Sequence, residues 1–215
     1  VASAFFMRTH VYIDGFNLYY GAVRGTPFRW LNVARMCELL LPKECQITCL
    51  KYFTAIVSAR GADPDKPVRQ STYIRALRTI PNLEVIVGHF LTHAVRLPLV
   101  NPPAVGSRFA EVLKTEEKGS DVNIACHLLS DAYQNKYDTA VLISNDSDLA
   151  EALRIVRFQM GKQVGIINPQ KGRASKTLVS YARFVRSIRH GVLHASQFPP
   201  TLTDAVGVIH KPATW

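Results

Sequence analysis

Four aspartates carry the chemistry that this sequence suggests: Asp14, Asp121, Asp146 and Asp148. Asp14 directly follows a short β-rich run at 10–13. Asp146 and Asp148 follow an apolar run at 139–143, in Ser144-Asn145-Asp146-Ser147-Asp148. Asp121 opens a helical stretch, in Glu117-Lys118-Gly119-Ser120-Asp121. Gathered at one place, such carboxylates repel one another and take up protons unless a cation neutralises them. Mg²⁺ or Mn²⁺ suits an all-oxygen donor set. A metal held there polarises a phosphoryl group and lowers the pKa of water, so the expected reaction is phosphodiester hydrolysis. Asn17, three residues past Asp14, is a candidate to orient a water or a carboxylate. Lys118 is a candidate to contact phosphate or position an aspartate.

Each residue also has a plain local role. Asp14 before Gly15 reads as a turn residue. Asp121 reads as a favourable charge in a first helical turn, and Asp146 or Ser147 as a helix cap. Asn17 reads as a polar residue of a first turn, and Lys118 as a solvated lysine. Co-location favours the functional reading, because three separate strand or helix ends carry acids.

The elements that must position these residues alternate. Apolar or β-rich runs at 10–13, 46–58, 83–90, 139–143 and 163–167 read as strands. Amphipathic stretches at 31–41, 68–79, 121–133 and 148–160 read as helices, with a shorter one at 175–181 and a β-like run at 184–188. The segment 61–67 reads as a polar loop. Residues 97–106 hold three prolines and read as an excursion, with a strand returning over 108–115. The tail from residue 198 reads as irregular. Alternating strands and helices, with central strands apolar throughout, predict an α/β fold whose parallel sheet is covered on both faces. Such sheets place functional groups just beyond the carboxyl ends of their strands.

Bulk properties narrow the partner. The chain has 215 residues and a formal net charge of +10, with 26 Lys and Arg against 16 Asp and Glu. A basic surplus of this size favours a polyanion, nucleic acid ahead of an anionic membrane. No run of about eighteen apolar residues occurs, so no membrane span is expected. The four cysteines, Cys37, Cys45, Cys49 and Cys126, lack C-x-x-C spacing. They read as reduced and structural, Cys37 and Cys126 within apolar helical stretches, which suits a cytoplasmic protein.

Three segments together resemble the NYN domain: Val-Tyr-Ile-Asp-Gly-Phe-Asn-Leu-Tyr-Tyr-Gly at 11–21, Lys-Gly-Ser-Asp-Val at 118–122 and Ile-Ser-Asn-Asp-Ser-Asp-Leu at 143–149. This is the LabA-like, formerly DUF88, branch of the PIN-like nucleases. The resemblance implies a three-layer α/β/α sandwich with a mainly parallel central sheet, spanning 9–190. Residues 1–8 are then an N-terminal extension and 191–215 a C-terminal tail. It also implies Mg²⁺- or Mn²⁺-dependent cleavage of RNA, with the metal at Asp14, Asp121, Asp146 and Asp148 and with Asn17 and Ser144 in support. The family pattern often has a small residue where Asn145 stands and an aromatic where Leu149 stands.

Single-stranded RNA is the expected partner, ahead of DNA, because an edge site needs an accessible phosphate. Lys171, Arg173 and Lys176, beside the last core strand, are candidate phosphate contacts, as are Arg69, Arg75 and Arg78 on the second helix. Tyr19, Tyr20, Phe28 and Trp30 are candidate stacking residues, with packing beneath the site as their alternative. A regulatory module that keeps the fold and binds nucleic acid without cleaving is the competing function. A haloacid-dehalogenase-type phosphatase is disfavoured, because Phe16 stands where a second aspartate is required. A dinucleotide-binding enzyme is disfavoured too, since no G-x-G-x-x-G follows the first strand.

Overall fold

The computed structural model describes residues 6–59 and 63–215. Most of the N-terminal extension and the start of the 61–67 loop lie outside the described residues. Strand β1 (Met7–Asp14) has side chains that point alternately to two faces. Val11 and Ile13 enter one apolar core, and Tyr12 enters another. The remaining sheet strands are β2 (Cys45–Ala55), β3 (Leu83–Pro98), β4 (Phe109–Lys118), β5 (Thr139–Ile143), β6 (Gln163–Asn168) and β7 (Phe184–Ser187). They form one seven-stranded sheet in the order β4-β3-β2-β1-β5-β6-β7, parallel except for β4. The expected fold class is present.

Helices α2 (Val33–Leu40) and α3 (Lys66–Leu77) cover the face of Val11 and Ile13. Asn32 caps α2, its side-chain oxygen accepting from the Arg35 N–H at 3.0 Å. Helices α4 (Ser120–Tyr133), α5 (Ala150–Phe158) and α6 (Lys176–Tyr181) cover the opposite face with Ile124, Leu128, Leu153, Val156 and Leu178. All five residues of β5 are buried, as expected of a strand covered on both sides. A four-residue helix, α1 (Gly15–Leu18), follows β1 and continues as a π-type turn over Tyr19–Val23.

The core also holds a charge cluster. Asp131 near the end of α4 accepts from Lys51 Nζ at 2.5 Å, from the Tyr12 hydroxyl at 2.9 Å and from Lys136 Nζ at 3.2 Å. Burial opposes the Asp131 charge, but these donors outweigh it and hold the carboxyl down at about 2. Removing one partner of a buried pair generally costs about 3–5 kcal/mol, because the other charge is left unpaired.

Three expectations need correction. The 97–106 excursion begins later than its prolines suggested. Strand β3 runs on to Pro98 and pairs antiparallel with β4 through Pro98 opposite Phe109, forming a long two-stranded arm. The tail from residue 198 is structured: α7 (His190–Ala195) leads into a hairpin of β8 (Thr201–Asp204) and β9 (Gly207–His210). The Trp30 indole N–H donates to the Pro199 carbonyl at 2.8 Å, so this segment closes over the first core. Cys126 is exposed on α4, whereas Cys37 is buried; all four thiols are free. Among the described residues no helix is long and apolar enough to cross a membrane.

Candidate active site

The parallel register sets Ile13 beside Ile143, so the chain leaves β1 and β5 at the same level. Asp14 therefore meets Ser144. The Ser144 hydroxyl donates to Asp14 Oδ2 at 3.0 Å, and the Asn17 backbone N–H donates to Oδ1 at 2.9 Å. The second bond caps α1, so the local and functional roles of Asp14 coexist. Gly15 is required by proximity: a Cβ there would lie 2.6 Å from the Phe53 carbonyl oxygen.

Asp146 repeats the pattern. Its carboxylate accepts from the Asp148 N–H at 3.0 Å and caps a short 3₁₀ turn, Ser147–Leu149. Its own N–H donates to the Ser144 hydroxyl at 3.1 Å, so one serine joins Asp14 to Asp146. The Asn17 side-chain oxygen accepts from the Asn145 N–H at 3.2 Å, tying the two loops together.

Helix α4 runs antiparallel to these strands and brings Asp121 to the same end. Gly119, at φ +99°, turns the chain from β4 into α4, a conformation that glycine adopts without strain. The turn places Glu117 at the helix start, where its Oε1 accepts from the Ser120 hydroxyl at 2.8 Å and the Ser120 N–H at 3.2 Å. Asp14, Glu117, Asp121 and Asp146 line one cleft of about 510 Å³, with Asn17, Phe16, Tyr20, Phe90 and Gln170 around them.

These acids lie close enough to act on one another's charge. Asp14, only 6% exposed, is pushed above the ordinary carboxylate range by burial. The Asn17 and Ser144 bonds oppose that shift, while Asp146 and Glu117 add to it. Asp121 is pushed up to about 6, first by loss of water against the cleft wall, then by Asp14, Asp146, Glu117 and Asp148. Among the described residues no three His, Cys, Asp or Glu side chains are drawn together tightly enough to form a completed metal-binding set. The donors nonetheless fit a hard divalent cation in type, being all oxygen, and in charge, since repulsion among them is what a cation relieves.

The remaining candidates divide. Asp148 lies outside the cleft lining but near enough to raise Asp121. Lys118 is turned aside, its ammonium pairing with Glu116 at 3.1 Å. Arg75 grips Asp204 through two bonds of 2.6 Å and also donates to the Gly207 carbonyl, so it anchors the C-terminal hairpin. Arg69 pairs with Asp63, whereas Arg78 is exposed. Phe28 and Trp30 are core residues, whereas Tyr20 is 54% exposed and stacks on Phe16.

Lys171, Arg173 and Lys176 are exposed on and beside the 169–175 loop that follows β6. Sequence reasoning missed the residue that anchors this loop. Asn145 donates to Gln170 Oε1 at 2.8 Å and accepts from the Ser175 N–H at 2.6 Å. Glu117 was missed as a cleft acid as well.

The NYN domain profile matches residues 8–188. The chain belongs to the NYN domain family. This places it in the PIN-like nuclease superfamily, whose members generally use divalent metals. Over an alignment of 236 positions it is 32% identical to 6-hydroxy-3-succinoylpyridine 3-monooxygenase HspA of Pseudomonas putida, covering 97% of this chain and 75% of that protein. A crystal structure of a Vibrio parahaemolyticus protein of unknown function shares the fold, with TM-score 0.55 and 17% identity over 88% of this chain and 98% of that one.

Proposed function

We propose that this NYN domain is a metal-dependent ribonuclease that hydrolyses phosphodiester bonds of single-stranded RNA. One observation carries the reading: four acids from three separate stretches of the chain, at 14, at 117 and 121, and at 146, line one open cleft. Asp14, Asp121 and Asp146 would hold Mg²⁺ or Mn²⁺, with Asp148 contributing from the rim. When bound, the cation supplies Lewis-acid polarisation of the scissile phosphate and neutralises charge on the departing oxygen. Asp14 is fixed in orientation by Ser144 and Asn17. Asp121 is raised to about 6 by burial and by the neighbouring acids, a repulsion that a cation held among them would relieve. Tyr20 offers a half-exposed ring for contact with a base, and Lys171, Arg173 and Lys176 supply positive charge for the backbone.

The test is cleavage of labelled single-stranded RNA and DNA with Mn²⁺, Mg²⁺ or EDTA. Wild type should cut RNA only with metal, and Asp146→Asn should lose at least about a hundredfold in rate. Binding without cutting, equal in both proteins, would leave a nucleic-acid-binding module. The name of the Pseudomonas relative points elsewhere, to oxygenation of a pyridine. Oxygen uptake on adding that pyridine and a reductant, without RNA cleavage, would favour that second reading.

A further inference from the structure

A second cavity, of about 380 Å³, lies beside the acidic cleft and shares Phe16 and Tyr20 with it. None of the cleft acids lines it. Its walls are aromatic: Tyr19, Tyr52, Tyr73 and Trp215 join the two shared rings. Tyr73 and Trp215 meet edge to face at 5.7 Å. Its mouth is basic. Arg24 stands 5.3 Å from the centre of the Tyr20 ring, and Lys66 lies at the start of α3. Arg29 also lines the cavity, and its Nε is a buried donor with no partner. A buried, unpaired guanidinium nitrogen is costly unless an acceptor arrives.

Aromatic walls with cations at the rim select a flat ring that carries an anion. The volume is of the size that small-ligand sites have. The shared Phe16–Tyr20 pair, stacked at 6.4 Å and 24°, decides the source. Phe16 and Tyr20 line both cavities, so a ring held here lies next to the acidic cleft. We infer that this cavity is a nucleotide subsite, holding one unpaired base of the RNA strand while Arg24 and Arg29 grip the adjoining phosphate. The inference rests on the ribonuclease reading. It adds a fixed position for one base next to the bond to be cut, and so a preference for base identity there.

Binding and cutting are read separately. Calorimetric titration of the whole protein in EDTA with the four nucleoside 5′-monophosphates should show saturable binding with unequal affinities. Arg29→Gln and, at an exposed position, Arg24→Gln should each weaken it at least about fivefold. With RNA and metal, the same variants should raise KM more than they lower kcat. Two results would overturn the subsite: metal-dependent cleavage by wild type without mononucleotide binding, or affinities unchanged in both variants. Tighter binding of free 6-hydroxy-3-succinoylpyridine than of any nucleotide would overturn it as well. Nucleotide binding by a protein that cuts no RNA would uphold the subsite and remove the ribonuclease reading instead.

Discussion

Asp121 shows how neighbours set the behaviour of one carboxyl. Its folded pKa of about 6 lies above the unfolded value near ~3.9. A raised carboxyl favours the fold fully below the unfolded value, and that contribution is lost as pH rises through about 6. Without metal, wild type should therefore lose thermal stability relative to Asp121→Asn between about pH 4 and pH 6. Asp121→Asn should melt higher than wild type at pH 7, with the gap closing near pH 4. Mg²⁺ should raise the wild-type Tm at pH 7 and raise that of the variant much less. Identical Tm profiles for the two proteins would refute this coupling. That Asp14, Asp121 and Asp146 would meet was legible because each stands at an element end, on the edge where a parallel sheet collects its loops. The neighbouring Lys118 lies outside the cleft lining for a geometric reason. Successive side chains on a strand point to opposite faces, so Lys118 joins Glu116 while Glu117 enters the cleft. Only the pairing of β4 with β3 decides which of the two faces inward, and that pairing is not local.

At the scale of elements, the basic loop after β6 owes its place to Asn145. Besides its bonds to Gln170 and Ser175, the Asn145 amide reaches the Arg173 carbonyl at 3.5 Å. A net hydrogen bond is worth roughly 1 kcal/mol, about a fivefold effect. Asn145→Ala should raise KM for RNA about five- to tenfold and leave kcat within about twofold. Equal losses in kcat and KM effects would instead show that the acids had moved. Elements with strong periodicity were readable within a few residues, β5 and α4 most of all. The C-terminal hairpin was not. Its strands are four residues each, preceded by Pro199 and Pro200, and the Arg75–Asp204 pair that fixes it spans 129 positions. No local pattern reports such a partner. In the arm the return strand was readable over 108–115, whereas the extension of β3 to Pro98 was not, because it rests on pairing with β4.

At the scale of the whole molecule, strand order governs where chemistry can occur. The chain lays down β1, extends through β2, β3 and β4 to one edge, then returns through α4 to place β5 on the other side of β1. The site lies where that direction reverses. Asp14, Glu117 and Asp121 precede the exposed turn at Asn135, and Asp146 and Asp148 follow it. The domain thus behaves as an interlock made of two half-keys. Segments 1–135 and 136–215, produced separately, should each be inert toward RNA. Mixed, they should recover metal-dependent cutting to the extent that β5 zips against β1. Activity in the first segment alone would break the scheme. While a ribosome is still making the second half, the first carries Asp14, Glu117 and Asp121 but no Asp146, so the four acids of the cleft meet only once the second half exists.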